Sequence, residues 1–209
     1  MAFGVTRVVT AGVFSLDGQD FDVENNVWVV GDDSGLLIVD AAHDAEAIAA
    51  VVDHRRVQAI VCTHGHNDHV NAAPELSDRV TAPIYLSAAD RMLWDQVHPD
   101  RAPYDDLRAG DVFRIAGEDI HVLPTPGHSP GGICLYVPGQ DLLFSGDTLF
   151  RGGPGATGRS FSDFPTILDS IRTSLLVLPP QTVVRTGHGA DTTIGAEAPD
   201  YDAWVARGH

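Results

Sequence analysis

The sequence predicts an α/β protein with two face-to-face β-sheets and helices on their outer sides, a four-layer αββα sandwich. Two observations lead to this prediction: strand-like segments occur in two groups along the chain, and each group is accompanied by amphipathic helices. The length suits one large domain, so residues 1–209 are predicted to form a single domain.

The first group opens with residues 27–40 (VWVVGDDSGLLIVD), where two apolar runs flank a glycine- and aspartate-rich turn and predict a hairpin. Residues 44–54 place apolar side chains on one helical face. Residues 57–63 (VQAIVCT) are β-branched and predict a buried strand. The remaining predictions for this group are a helix disturbed by Pro74, a strand over APIYLS, a helix over 87–97 with Ser87 as N-cap, and a polar loop over 98–110.

The second group consists of short strands separated by glycine, proline and aspartate, with the sequences DVFRI, DIHVLP, GICLYVP and DLLFSG. Residues 162–180 then predict a helix, because Pro165 suits its first turn and the Pro179-Pro180 pair would end it. A last strand over QTVVRTGHG and a terminal helix over EAPDYDAWVARG complete the pattern.

Charge and composition exclude several classes of function. The net charge is −16 and every basic residue is arginine, which disfavours binding to nucleic acid or to an anionic membrane surface. No apolar run approaches the ~20 residues of a membrane helix, and the N-terminus lacks the pattern of a signal peptide. We therefore expect a cytoplasmic protein, in which Cys62 and Cys134 are buried free thiols.

The segment AIVCTHGHNDHV concentrates three histidines and an aspartate directly after a predicted buried strand. Imidazole and carboxylate groups are ligands for zinc and other first-row metals. Gly65 would allow a tight turn, so that His64 and His66 reach one cation. Asp68 and His69 would then point elsewhere, which makes a second cation plausible. The alternative interpretation is a polar surface loop.

Further ligand candidates end three other predicted strands: His128 in PGHSPGG, Asp147 in SGDTLF and His188 in TGHG. Four polar strand ends in one chain favour a shared metal site over coincidence. The other histidines lack such a setting and are predicted to be structural or exposed, His43 being the least secure because it follows a strand end. They are His43, His54, His98, His121 and His209. The sequence also lacks a nucleophile elbow, a phosphate-binding loop and a dinucleotide fingerprint.

The ordered motifs HGHNDH, PGHSPGG, SGDTLF and TGHG resemble those of the metallo-β-lactamase superfamily, from ENNVWVVGD to TGHGADTTIGAE. The resemblance implies the αββα fold with a binuclear site. Carried over position by position, it places His64, His66 and His128 on one divalent cation and Asp68, His69 and His188 on the second, with Asp147 as the bridge. Zinc is the expected metal, and iron or manganese would accept the same ligands.

Within the superfamily, TPGHSPGGICLY and SGDTLFRGGPGATGRS look most like the short bacterial members of the glyoxalase II group. The resemblance implies hydrolysis of a small-molecule thioester, in which a hydroxide shared by two metals attacks the carbonyl and Asp68 orients it. The C-terminal helical region with which full-length enzymes hold glutathione is absent, so another thiol, such as mycothiol, is an alternative carrier. Arg151 and Arg159 are candidates for binding a substrate carboxylate.

Two other functions remain open at this point. Persulfide dioxygenases have closely similar motifs but use one iron, which two histidines and an aspartate would hold here, His128 and Asp147 among them. A non-catalytic metal-binding module would use the same ligands without turnover. Metal content and a thioester assay distinguish the three.

Overall fold

The structure, a computed structural model, describes residues 3–208 and, of Asp105, only the backbone. Its first sheet follows the order of the chain, antiparallel from β1 to β3 and parallel from β3 to β6. Its strands are β1 (Gly4–Leu16), β2 (Gln19–Asp32), β3 (Gly35–Val39), β4 (Val57–Val61), β5 (Ile84–Ser87) and β6 (Asp105–Leu107).

The second sheet has the order β14-β13-β10-β9-β8-β7, in which β10 and β13 run parallel and the other neighbours antiparallel. A small separate ribbon pairs β11 with β12. The strands are β7 (Val112–Ile115), β8 (Glu118–Pro124), β9 (Ile133–Val137), β10 (Leu142–Gly146), β11 (Leu149–Phe150), β12 (Gly153–Pro154), β13 (Val183–Thr186) and β14 (Thr192–Thr193).

Short helices connect the strands and cover the sheets. Asp44 starts the first of them, since its side chain accepts a hydrogen bond of 2.9 Å from the backbone N–H of Ala47. The helices are α1 (Ala45–Val52), α2 (Asn67–Val70), α3 (Ala73–Val80), α4 (Arg91–Val97), α5 (Phe164–Ser170), α6 (Ile194–Glu197) and α7 (Tyr201–Arg207).

Three apolar layers hold these elements together, and β2 shows how the sequence specifies two of them. Its side chains alternate between the two faces of the sheet. Val27 and Val29 pack with apolar residues of α1, α3 and α4, whereas Trp28 and Val30 pack against the second sheet. On the far side, Leu143 of β10 packs with residues of α5 and α7. The αββα sandwich predicted from the sequence is confirmed.

The largest difference from the sequence prediction is at the N-terminus. Residues 4–24 were assigned no strand, yet β1 and β2 pair over their whole length as a long hairpin. The Asp17-Gly18 pair forms its turn, and both residues have positive φ angles. Asp-Gly between β-branched stretches is a strong hairpin signal. The sequence therefore contained the information for this hairpin.

Smaller corrections concern element boundaries. Pro74 does not disturb one helix; it lies in the first turn of α3, after α2 has ended. Ser87 makes no side-chain capping hydrogen bond. The predicted polar loop over 98–110 contains β6, and the predicted helix over 162–180 is α5 followed by a π-helical turn, Ile171–Leu175.

The predicted thiols and the absence of a membrane helix can both be compared with the structure. Cys62 and Cys134 are buried and free, as predicted. Among residues 3–208, none of the helices has the length and apolar character needed to cross a bilayer.

Candidate metal centre

The structure brings all seven predicted metal ligands to one edge of the sandwich. Residues 64–69 follow β4, Asp147 follows β10 and His188 follows β13, so their strands end side by side. His128 reaches the same place from the loop between β8 and β9. Three groups of these side chains have ligand atoms within 4.8 Å of one another. They are His64–His66–His128, His64–His69–Asp147 and Asp68–His69–His188.

One end of the centre consists of His64, His66 and His128. The Nδ1 atom of His66 lies 3.0 Å from Nε2 of His128. Nε2 of His64 is buried and has no hydrogen-bond partner. This end therefore offers three imidazole nitrogens to a cation.

The other end consists of Asp68, His69 and His188. Nε2 of His69 and Nε2 of His188 are 3.1 Å apart, and Nε2 of His188 is 3.3 Å from Oδ2 of Asp68. Asp147 adjoins both ends, because its carboxylate oxygens lie 3.4 Å from His69 and His188 and 3.7 Å from His128. The arrangement is two adjoining ligand sets with one carboxylate between them.

These spacings fit cation binding better than internal hydrogen bonding. Ligand bonds of about 2.0–2.1 Å in tetrahedral geometry place the ligand atoms about 3.3–3.4 Å apart. In addition, one oxygen each of Asp68 and Asp147 is buried without a hydrogen-bond partner, which is costly unless a cation compensates it. A Cβ at Gly187 would lie 2.3 Å from Oδ1 of Asp147, so this glycine keeps the space at the carboxylate open.

Hydrogen bonds on the outer side of the rings direct the Nε2 lone pairs inward. A backbone carbonyl only accepts, so the ring nitrogen beside it carries the proton and the opposite nitrogen is free to bind a cation. The contacts of Nδ1 are His128 with the Ala156 carbonyl at 2.8 Å, His188 with the Glu24 carbonyl at 2.7 Å, and His69 with Oδ2 of Asp40 at 2.8 Å.

A sequence profile of the metallo-β-lactamase superfamily matches residues 21–188, a span that contains every one of these ligands. The chain belongs to the metallo-β-lactamase superfamily. The probable metallo-hydrolase YqgX of Bacillus subtilis is 33% identical, over 84% of this chain and 90% of its own. The hydroxyacylglutathione hydrolase GloC of Haemophilus influenzae is 31% identical, over 82% of this chain and 87% of its own.

Solved structures agree on the fold of this superfamily member. The B3 metallo-β-lactamase BLEG-1 superposes with a TM-score of 0.76 at 30% identity, covering 91% of this chain and 97% of its own. TTHA1623, crystallised in a di-iron-bound form, gives a TM-score of 0.76 at 33% identity, covering 84% of this chain and 93% of its own. The family and the ligand clusters together show a metallo-hydrolase with metal-binding histidines and aspartates.

Two residues that the sequence analysis missed hold the ligands of the second end. Asp40 accepts hydrogen bonds from His69 and from the Thr63 backbone N–H, the latter at 2.7 Å. Asn25 donates from Nδ2 to Oδ2 of Asp68 at 3.0 Å. Asp40 ends the buried run LLIVD just as Asp147 follows LLFSG, so the rule that found Asp147 could have found Asp40.

A third missed residue, Asp90, joins the loops of the first end. Its carboxylate is fully buried and accepts from the Gly65 N–H at 2.8 Å, the Ser129 hydroxyl at 2.7 Å and the Gly131 N–H at 2.5 Å. A Cβ at Gly65 would lie 2.9 Å from the Asp90 carbonyl oxygen and from Cβ of Leu93. Gly65 is thus required by close packing, and its φ is not positive.

The predicted substrate-binding arginines have different surroundings. Arg159 lines a cavity of about 60 Å³ beside His66 and His128. Its guanidinium donates to Oε1 of Gln19 at 3.1 Å and stacks over the Phe21 ring at 4.7 Å. Arg151 instead donates to the Asp191 carbonyl at 2.6 and 3.0 Å and does not line this cavity. Both assignments remain predictions.

The histidines predicted to be structural or exposed do not join the ligand clusters of the described chain. His54 is exposed and His98 contacts the Val70 carbonyl. His121 lies on β8. His43 contacts Asn25, directly behind Asp68. His209 lies outside the described residues.

The two ends of the centre differ in proton affinity. Burial lowers the pKa of the His64 imidazole well below its ordinary value and that of His66 to about 3. Burial opposes charge at His188 too, but the carboxylates of Asp147 and Asp68 outweigh it and raise its pKa to about 10. Against their own burial, histidine charges hold the pKa of Asp68 at about 2 and that of Asp147 well below its usual range.

Cation binding to metal-free protein is therefore expected to displace a proton from His188 but none from His64 or His66. At neutral pH, below the pKa of about 10, a cation must compete with a proton on His188, so affinity at that end increases with pH. Calorimetric titration in buffers of different ionisation enthalpy counts the protons released. His66→Ala should keep the release and His188→Ala should reduce it; equal release in both variants would contradict the expectation.

Proposed function

We propose that the protein hydrolyses thioesters of a low-molecular-weight thiol, as glyoxalase II enzymes do, with two divalent cations, expected to be zinc. The observation that carries the proposal is the pair of adjoining ligand sets with Asp147 between them, next to a small cavity. The relative GloC, a hydroxyacylglutathione hydrolase, supports the reaction class. Iron or manganese would suit the same donors.

Divalent cations held by these side chains would lower the pKa of a water molecule and polarise a carbonyl oxygen. The chain itself offers no cysteine nucleophile, because burial raises the pKa of the Cys134 thiol to about 11 and that of Cys62 well above its ordinary value. Oδ1 of Asp68 is buried and has no hydrogen-bond partner. It is available to accept a hydrogen bond from the attacking water and so to orient it.

The cavity beside the first end suggests which part of a substrate binds there. Phe14 and Leu16 of the N-terminal hairpin form one wall, and Arg159 lies at the opposite loop. A volume of about 60 Å³ corresponds to about two water molecules. We infer that the cavity receives a short acyl group and that Arg159, oriented by Gln19, binds a carboxylate of the substrate.

A thioester panel with parallel metal analysis tests this proposal. Protein of known metal content should hydrolyse short 2-hydroxyacyl thioesters, and chelation or Asp68→Ala should abolish turnover. Arg159→Ala should lower kcat/KM by about tenfold for thioesters that carry a carboxylate and little for neutral ones, a loss typical of one exposed charged contact. Arg114→Ala, which removes an exposed arginine paired with Asp119, is the matched control.

Other outcomes of the same assay would assign another activity. A single iron with oxygen consumption on a persulfide would identify a dioxygenase. Turnover of a β-lactam without thioester hydrolysis would identify a β-lactamase, the class to which BLEG-1 is ascribed. Bound metal with no turnover of any of these substrates would leave a metal-binding module. Each of these results would overturn the thioesterase proposal.

A further inference from the structure

Behind Asp68 lies a chain of polar side chains that the proposed reaction does not use. Nε2 of His43 lies 2.9 Å from Oδ1 of Asn25, and Nδ2 of Asn25 lies 3.0 Å from Oδ2 of Asp68. On the other side of the imidazole, Nδ1 of His43 lies 2.9 Å from Nδ2 of Asn71. Oδ1 of Asn71 accepts the backbone N–H of His43 at 2.7 Å. The chain connects the surface-proximal Asn71 to a predicted metal ligand.

Each proton in this chain has one allowed position. The Asp68 carboxylate only accepts, so the Asn25 amide must turn its NH2 group towards it. The amide oxygen then faces His43, which has to donate from Nε2. Nδ1 of His43 is left as an acceptor and receives the Asn71 amide, whose own oxygen is already fixed by the His43 backbone. The neutral Nε2–H tautomer is the form that satisfies every contact.

The surroundings of His43 keep the ring in this position. A Cβ at Gly12 would lie 2.2 Å from Nδ1 of His43, so the backbone of β1 covers the ring and any larger residue would displace it. The backbone of His43 has a φ of +59°, an unusual conformation for a residue with a side chain, which indicates that the loop is held in place. Burial lowers the pKa of the His43 imidazole, in agreement with a neutral ring.

Asn25 in turn faces the second ligand set closely. It is almost fully buried, and its Nδ2 lies 3.3 Å from Nε2 of His69 and 3.5 Å from Nε2 of His188, besides the bond to Asp68. If the amide rotated by 180°, its oxygen would face the carboxylate and these nitrogens. Only the hydrogen bond from His43 distinguishes the two orientations of the amide.

We propose that His43 is a positioning residue that, by donating to Asn25, fixes the amide which holds Oδ2 of Asp68 in the second ligand set. It acts through Asn25 and does not touch the cation or the substrate. The role in turnover rests on the proposed function of Asp68, whereas the tautomer and the effect on cation affinity do not depend on the identity of the substrate.

Two substitutions of His43 separate the donor from the ring. His43→Ala removes the donor, and we expect cation affinity at the second set to fall about 10–100-fold, the usual effect of losing a partner of a metal ligand. On a hydrolysed thioester, kcat should fall by a similar factor with KM within about twofold. His43→Gln retains an N–H near the position of Nε2 and should recover most of both losses. His121→Ala, a partly buried histidine on β8, is the control and should behave as wild type.

A double-mutant cycle tests whether His43 acts through Asn25. If it does, adding His43→Ala to Asn25→Ala should weaken cation binding little further, because the shared interaction is already lost. Additive losses would overturn the proposal, as would a His43→Gln variant no better than His43→Ala. These binding measurements use metal titration alone, so they remain decisive if no thioester is hydrolysed.

Nitrogen NMR of the histidine rings in zinc-loaded protein reads the tautomer directly. The neutral Nε2–H form of His43 is expected at neutral pH in the wild type. A His43 ring protonated on Nδ1, or on both nitrogens, would overturn the proposal independently of any activity. The His121 ring provides an internal reference in the same spectra.

Discussion

Asp147→Asn is expected to reduce both cation stoichiometry and hydrolysis more than any other isosteric change in the protein. The Asp147 carboxylate is the group that adjoins both ligand sets, with oxygens 3.4 Å from His69 and His188 and 3.7 Å from His128. The amide removes its charge and directs an NH2 group at nitrogens whose lone pairs point inward. We expect a loss of activity beyond the ~100-fold typical of an outer partner, with one cation fewer bound per molecule.

Metal analysis after dialysis and the thioester assay measure this effect together. Asp141→Asn makes the same chemical change at an exposed aspartate just before β10, so it controls for charge alone. Unaltered cation content and turnover in Asp147→Asn would show that the carboxylate does not join the two sets. A folded variant is expected, since Asn has nearly the same volume as Asp.

Asp90→Ala is expected to produce the largest loss of stability from a single polar residue. The substitution leaves two backbone N–H groups and a hydroxyl without the acceptor they have in the native protein. An unsatisfied buried donor costs about 1–3 kcal/mol, so the free energy of unfolding should fall by roughly 3–5 kcal/mol. Because Asp90 joins the Gly65 loop to the Gly131 loop, cation affinity at the His64–His66–His128 end should fall as well.

Denaturant unfolding of the metal-free protein measures the first effect without the contribution of bound cation. Asp95→Ala removes an exposed carboxylate from the following helix, where it pairs with Arg91, and should cost less than about 1 kcal/mol. Asp90→Asn keeps one acceptor oxygen and should fall between the two. Equal stability of the Asp90 and Asp95 alanine variants would refute a role for Asp90 in joining the loops.

The sequence was sufficient to predict the layer order and to bring the ligand candidates together. His64, Asp147 and His188 each follow an apolar run, and a polar group at the end of a buried strand can be recognised locally. Alternating apolar residues in β2 indicated a strand buried on both faces. These predictions succeeded because each depends on residues close together in the chain.

The residues that support the ligands could not be predicted in the same way. Asp90 is 25 residues from Gly65 and about 40 from Ser129 and Gly131, and nothing in SAAD marks it as an acceptor for those groups. Asn25 matters because β2 passes behind Asp68, which depends on how the two sheets pack. Arg151 looked equivalent to Arg159 in the sequence, and only the fold separates their surroundings.

The origin of the ligands in both sheets has a consequence for the folding of the whole protein. The loop after β4 belongs to one sheet, whereas Asp147 and His188 belong to the other, and the Asn26 N–H already bonds the Gly187 carbonyl across this seam at 2.7 Å. Any cation held there cross-links the two halves of the chain, as a disulfide would in a protein whose thiols were paired. Its free concentration then adds directly to the free energy of unfolding, since it binds the folded state alone. The reactive centre of the protein is in this sense also its clasp.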